Sequence, residues 1–154
     1  MIKLSFESHL AAPASDVWAR VTTMEGVNAE LAPWLRMTYP ERGLSLERAG
    51  IPLGQTAFHS WLLAFGVLPF DRHALGLDRI LPSRGFDERS HSWTQRKWIH
   101  RRRVFPTYEG CRIMDELEFE PRLAFAAPLM GTVVSALFRH RHRRLRKAFG
   151  AAHG

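Results

Sequence analysis

Between residues 56 and 121 the chain is built from short stretches with strand-like alternation, and turns separate them without any helical pattern. The stretches are TAFHSWLLAF, DRHALGLDRI, GFDERSHSW, WIHRRRVF and GCRIMDELEFEP, and the turns between them are GVLPF, PSR, TQRK and PTYE. Strands that follow one another through short turns pair in opposite directions. This region therefore predicts a continuous antiparallel sheet.

The segments before this region predict two more strands and two short helices. IKLSFESHL alternates with a period of two, as a half-buried strand does, and APASDVWARVTTM places Val17, Trp18 and Val21 on one side of a short helix. Gly26 ends that helical pattern, and VNAELAPW predicts a second short helix that Pro33 terminates. Residues 35–39 predict a strand, and the glycines and prolines of residues 40–54 predict an irregular loop.

One long helix is predicted to close the chain. From about Pro128 to Phe149 apolar residues recur at steps of three and four, which gives a helix of roughly 33 Å at 1.5 Å per residue. Gly150 marks its end. The cations between residues 139 and 147 account for six of the seven net positive charges of the chain. The basic character is therefore concentrated in the second half of this helix.

The order of one strand, two short helices, about six strands and a long C-terminal helix resembles the helix-grip fold of the START-like (SRPBCC) superfamily. The resemblance covers nearly the whole chain and is carried by APASDVWARVTTMEGVNAELAPWLRM, SWLLAFGVLPFDRH, GFDERSHS, WIHRRRVF, MDELEFEP and LFRHRHRRLRKAF. It implies an α+β fold in which a curved antiparallel sheet of six to seven strands wraps around the C-terminal helix. It also implies a single ligand-binding domain over residues 1–150, a short tail over residues 151–154, and an apolar cavity between sheet and helix.

The chain length, the single cysteine and the apolar segments restrict the class of protein that the sequence can encode. A chain of 154 residues suits one domain with a buried core, and its one cysteine, Cys111, cannot form an internal disulfide, so a cytoplasmic protein is expected. The N-terminus lacks the apolar segment of a signal peptide, and the apolar stretch 124–138 is too short to span a bilayer. His140 and His142 point in different directions on a helix, so we expect no metal site there, and no cofactor is implied.

Period-two alternation separates the arginines of WIHRRRVF onto two faces. Trp98, His100 and Arg102 share one face, whereas the neighbouring arginines share the other. In the next strand Ile113, Asp115 and Leu117 share a face, and glutamates occupy the opposite face. Because the row of glutamates requires solvent, the face with Asp115 is predicted to point inward.

A four-residue turn at PTYE predicts which residues of the two strands face each other. It places His100 opposite Asp115, Arg102 opposite Ile113 and Trp98 opposite Leu117. A turn centred near Gln95 places Glu88 opposite Arg102 and Ser90 opposite His100. We therefore expect Glu88 to pair with Arg102, and Asp115 to pair with one nitrogen of His100 while the other nitrogen stays free toward the cavity.

These residues leave three functions open. The first is binding of a small hydrophobic ligand, such as a lipid or an aromatic or polyketide-like molecule. The second is a cyclase- or dehydratase-like reaction in which His100 transfers a proton, Asp115 orients it, and Arg102 stabilises enolate charge. The third is an electrostatic adaptor whose basic helix binds nucleic acid or an anionic membrane, which the apolar stripe through that helix disfavours. The predicted ligand contacts are Met37, Trp61, Glu88, Ser90, Trp98, His100, Arg102, Ile113, Asp115, Leu117 and Leu137.

Overall fold

The computed structural model describes residues 1–48 and 50–153. Position 49, in the predicted irregular loop, and position 154, at the end of the predicted tail, lie outside the described residues. Within the described part, the elements in chain order are β1 (Ile2–Leu10), α1 (Ala14–Val21), α2 (Met24–Leu31), β2 (Leu35–Met37), β3 (Thr56–Ala64), β4 (Leu68–Leu81), β5 (Gly85–Ser92), β6 (Gln95–Thr107), β7 (Gly110–Pro121), a 3-10 turn (Ala124–Ala126) and α3 (Ala127–Phe149).

The described strands form one antiparallel sheet in the order β1-β7-β6-β5-β4-β3-β2. β1 therefore lies at one edge beside the last strand of the chain, and the remaining strands follow in reverse order. The sheet curls around α3, and the two short helices come directly after β1. The predicted α+β helix-grip fold is confirmed.

The strands β4 and β6 are longer, and the turns before them are shorter, than the sequence predicts. TQRK was predicted as a turn, yet β6 already begins at Gln95, and the turn before it consists of residues 93–94. Likewise the turn between β6 and β7 consists of residues 108–109. The polar residues at the start of β6 have a composition typical of a loop. They nevertheless belong to the strand, because a neighbouring strand pairs with them.

The predicted cross-strand pairs are consequently wrong by two residues. His100 lies opposite Leu117, and Arg102 lies opposite Asp115. On the other side, Glu88 lies opposite His100 and Ser90 lies opposite Trp98. Because the side-chain period of a strand is two, a slip of two residues keeps every side chain on its predicted face.

The second short helix is also displaced from its predicted position. It begins at Met24, and Gly26 is part of it, with the Thr23 hydroxyl accepting a hydrogen bond from the Gly26 backbone N–H at 3.0 Å. A Cβ at position 26 would stand 1.9 Å from the Arg20 carbonyl oxygen. Glycine therefore allows the close approach of α1 and α2 and does not end a helix here.

The apolar core has two parts. The larger part joins α1, α2 and the central strands, and Leu145 from the second half of α3 belongs to it. The smaller part joins β1 and β7 to the first half of α3 through Val134 and Phe138. His100 lies between the two, because its ring contacts Phe86 of the first part at 5.5 Å and Phe138 of the second at 5.3 Å.

Candidate binding cavity

A cavity of about 170 Å³ lies between the sheet, α2 and α3. Phe70 and Val133 line it and are 48% and 49% exposed, so the cavity opens to solvent beside them. Its wall is mainly aliphatic and aromatic. The lining residues are Met24, Val27, Leu31, Leu35, Met37, Leu46, Leu62, Phe70, Asp71, His73, Leu75, Leu77, Phe86, Glu88, Ser92, Thr94, Gln95, Trp98, His100, Met130, Val133, Val134, Leu137, Phe138 and Arg141.

Three ionisable side chains on adjacent strands form a polar patch in this wall. His73 Nε2 and Glu88 Oε2 lie 2.8 Å apart, and His100 Nδ1 lies 3.6 Å from the other oxygen of Glu88. The Ser90 hydroxyl donates to Glu88 Oε2 at 2.7 Å. Burial alone would raise the pKa of Glu88, but His100 and His73 hold it well below its ordinary value. Glu88 is therefore a carboxylate at neutral pH.

A second carboxylate, Asp115, lies behind this patch and joins three cationic or titratable side chains. His100 Nε2 is 2.7 Å from Oδ1, and His142 Nε2 is 2.7 Å from Oδ2. Arg102 donates from Nε to Oδ1 at 2.7 Å and from Nη2 to Oδ2 at 2.8 Å. Burial opposes ionisation of Asp115, but the charge and hydrogen bonds of Arg102, followed by those of His100, keep its pKa well below the ordinary value.

Arg102 connects Asp115 to a third buried carboxylate on α2. Its Nη1 and Nη2 atoms donate to the two oxygens of Glu30 at 2.9 and 2.8 Å, and Arg141 Nε donates to Glu30 Oε1 at 3.1 Å. Arg102 itself is fully buried. A guanidinium forms such paired contacts because its donors lie in one plane. Arg102 thereby joins β6 to α2 and β7, and α3 is attached to the same two carboxylates through Arg141 and His142.

Ser8, His142 and Asp115 have the hydrogen-bond order of a hydrolase triad. Ser8 Oγ lies 2.6 Å from His142 Nδ1, and His142 Nε2 lies 2.7 Å from Asp115. However, each of the three is at most 3% exposed, and they are not among the residues that line the cavity. Arg146 also donates to Ser8 Oγ at 2.8 Å. A substrate has no route to this hydroxyl within the described structure, so the arrangement is a structural tie between β1, β7 and α3.

The predicted ionisable residues come together, but with different partners. The predicted pair of Glu88 and Arg102 is wrong, because Glu88 pairs with His73 and Arg102 pairs with Glu30 and Asp115. His100 does contact Asp115, yet its other nitrogen is not free, since it faces Glu88. The two-residue slip in register is the cause.

The predicted ligand contacts fall into three groups in the structure: residues that line the cavity, the partly exposed Trp61, and buried residues outside the cavity lining. Glu88, Trp98, His100, Met37 and Leu137 line the cavity. Trp61 is 39% exposed and packs edge-on against Trp93, and its neighbour Leu62 lines the cavity. The buried residues that lie outside the cavity lining are Ser90, Arg102, Ile113, Asp115 and Leu117.

Several polar residues of the site escape detection in the sequence. Glu30 lies on a short helix far from the strands, and His73 lies in a strand whose inward face the pattern leaves undecided. For Arg141 a signal is present, because it follows Phe138 by three residues and precedes Leu145 by four, which is the spacing of the buried helix face. His142, four residues after Phe138, has the same signal.

The basic half of α3 is only partly turned toward solvent. Arg141 is buried, Arg144 donates to the Ala29 carbonyl oxygen, and Arg146 donates to Ser8. Within residues 1–48 and 50–153, no cluster of three or more His, Cys, Asp or Glu side chains is arranged to hold a metal ion. The helices of the same residues do not reach the combined length and hydrophobicity that a bilayer crossing needs.

Solved structures with little sequence similarity share this fold. Protein CV1439 from Chromobacterium violaceum has a TM-score of 0.74 at 13% identity, over 97% of this chain and 99% of that chain. A START superfamily protein from Mycobacterium smegmatis has a TM-score of 0.67 at 13% identity, over 96% and 95%. Ara h 8.0201 has a TM-score of 0.59 at 11% identity, over 95% and 98%. The predicted START-like fold is confirmed.

No curated protein matches the chain. The model of the family DUF8410, described as a domain of unknown function, matches residues 8–149. These residues include every described strand and helix apart from the first residues of β1. The chain belongs to the DUF8410 family.

Proposed function

We propose that this protein binds a compact, mostly apolar ligand in the cavity between the sheet and α3. The observation that carries the proposal is a cavity of about 170 Å³ with a largely apolar wall and one polar patch, formed by His73, Glu88 and His100. Small-molecule sites typically combine an apolar wall with a few placed polar groups. The START-like fold of the chain agrees with this proposal.

The cavity volume favours an aromatic or small polyketide-like ligand over a complete membrane lipid. A cavity of about 150 Å³ is enough to bind benzene, and sites for drug-sized molecules measure about 300–1,000 Å³. At about 170 Å³, this cavity suits one or two rings. A longer chain has to protrude through the opening beside Phe70 and Val133.

Filling the cavity tests the proposal. Leu137, a half-buried residue of α3, lines the cavity, so an indole at this position occupies ligand space. We expect Leu137→Trp to weaken binding of 2-methoxynaphthalene, measured by titration calorimetry, by about tenfold or more. Leu129→Trp is the matched control, because Leu129 lies on the same helix, is 65% exposed and is not among the lining residues. Equal binding by both variants and the unmodified protein would contradict the proposal, as would an unmodified protein that binds neither 2-methoxynaphthalene nor its hydroxyl analogue 2-naphthol.

A cyclase- or dehydratase-like reaction is the second candidate, with His100 transferring the proton and Asp115 orienting it. It is supported by the place of His100 in the cavity lining and by its 2.7 Å contact with Asp115. The proximity of Glu88 to the other ring nitrogen weighs against it, since that nitrogen is the one that a substrate would need. Ligand binding is therefore the function that the geometry favours.

A further inference from the structure

We propose that the ligand carries a hydroxyl or N–H group whose hydrogen the side-chain carbonyl oxygen of Gln95 accepts. This inference rests on the proposed function and names the chemistry of the ligand at one end of the same cavity. Gln95 is 5% exposed and lines the cavity beside the turn between β5 and β6. Its Oε1 atom is the buried side-chain oxygen for which the described residues provide no hydrogen-bond partner.

The other polar side chains at this end of the cavity form hydrogen bonds with one another and with the backbone of the turn. Asp71 accepts hydrogen bonds from the hydroxyls of Ser92 at 2.9 Å and Thr94 at 2.5 Å. It also accepts from the backbone N–H of Trp93 at 2.8 Å, and the Ser92 hydroxyl in turn accepts from the Gln95 backbone N–H at 3.0 Å. Asp71 thus holds the turn together. The unsatisfied oxygen of Gln95 stands next to a saturated network.

The backbone of β6 directs Gln95 into the cavity. Trp98, His100 and Arg102 define the inward face of this strand, and Gln95 precedes Trp98 by three residues. Strict alternation would therefore turn Gln95 outward. A break in register between Gln95 and Lys97 adds one residue, Arg96, and reverses the phase. Bulges of this kind re-aim side chains and are frequent beside binding sites.

The unsatisfied oxygen defines what the ligand must supply. A carbonyl oxygen only accepts hydrogen bonds, so an ether, an ester oxygen or an ionised carboxylate cannot satisfy it. A buried acceptor without a partner is costly, and a ligand that provides a donor removes this cost on binding. The carboxylate of Glu88, which lines the same cavity, adds a second reason to exclude an anionic ligand. A phenol-like hydroxyl or an indole-like N–H on a compact ring system fits these requirements.

Two probes with the same ring system, of which one has a hydrogen-bond donor and the other a methyl group in its place, test the proposal. The hydroxyl of 2-naphthol donates at pH 7, whereas 2-methoxynaphthalene keeps the ring system and the oxygen but has no donor. We expect 2-naphthol to bind the unmodified protein about tenfold or more tightly than 2-methoxynaphthalene, by titration calorimetry. In Gln95→Leu this difference is expected to disappear. Gln55→Leu is the matched control, because Gln55 is an exposed glutamine, and it keeps the full difference.

The outcomes separate this inference from the proposed function. If both probes bind the unmodified protein equally, or if Gln95→Leu keeps the preference for 2-naphthol, the inference is wrong while the proposed function stands. If neither probe binds, the proposed function fails and the inference fails with it.

Thermal unfolding without ligand provides a second readout. Gln95→Leu removes a buried polar atom that the described residues leave unsatisfied, so its Tm is expected to equal or exceed that of the unmodified protein. A Tm below that of the unmodified protein would assign Gln95 a structural role and overturn the proposal.

Discussion

For a single residue such as Arg102, the sequence pattern predicts the orientation of the side chain but not its partners. Period-two alternation correctly turns it inward, away from Arg101 and Arg103. The pattern does not identify Glu30 as its partner, because Glu30 lies 72 residues earlier on a helix. A fully buried guanidinium is stable only when carboxylates neutralise it. Arg102 can therefore point inward because it contacts Glu30 and Asp115.

Replacing Arg102 by methionine is expected to destabilise the protein by about 3–5 kcal/mol, because Glu30 and Asp115 then remain buried without their neutralising partner. Urea unfolding at pH 7 measures the change. Arg101→Met is the matched control: its side chain is 37% exposed and 3.9 Å from Glu118, so its loss is expected to cost about 0–1 kcal/mol. Similar losses for both variants would contradict the role assigned to Arg102.

At the scale of elements, α3 and β6 show which features periodicity predicts. The long helix is predicted to start at about Pro128 and starts at Ala127, because its apolar stripe extends over its whole length. β6 is predicted over 98–105 and extends from Gln95 to Thr107, because polar residues at its ends are paired by neighbouring strands. Arg141 and His142 are polar residue types that usually face solvent. They are buried here because they lie on the face of α3 that packs against the rest of the protein.

Two leucines of α3 test how this helix is attached. Leu145 is 2% exposed in the larger core, and Leu129 is 65% exposed. We expect Leu145→Ala to lower the free energy of unfolding by about 2–5 kcal/mol and Leu129→Ala to change it by less than about 0.5 kcal/mol. Chemical denaturation of both variants provides the comparison. An equal effect would mean that the helix does not pack on the sheet with the face that contains Leu145.

At the level of the whole molecule, a buried network that contains three carboxylates connects α2 and α3 to the sheet. For Glu30, Glu88 and Asp115, burial opposes ionisation, but neighbouring arginines or histidines hold each pKa below its ordinary value. A carboxyl group with a lowered pKa in the folded state stabilises it above the unfolded pKa. This contribution is lost as the pH falls toward the folded pKa. Acid is therefore expected to weaken the attachment of α2 and α3 to the sheet.

The free energy of unfolding is expected to fall as the pH drops from about 4.5 toward 3, since the unfolded chain takes up protons there before the folded protein does. Urea unfolding at a series of pH values measures this slope. Asp115→Asn is expected to make the slope shallower. Glu116→Gln, which replaces an exposed carboxylate on the same strand, is the control and leaves it unchanged. A stability that does not change between pH 5 and 3 would contradict this prediction.

The element order and the inward faces of β6 and β7 could be predicted from the sequence, because they depend on periodicity along the chain, which local side-chain chemistry enforces. The helix-grip fold was predicted from the resemblance of this order to the START-like superfamily. The pairing of the charges could not be predicted, because turn length sets the register and the partners lie on distant elements. The tertiary structure decided that pairing and also the orientation of Gln95, since a single extra residue in β6 reverses the alternation that the sequence predicts.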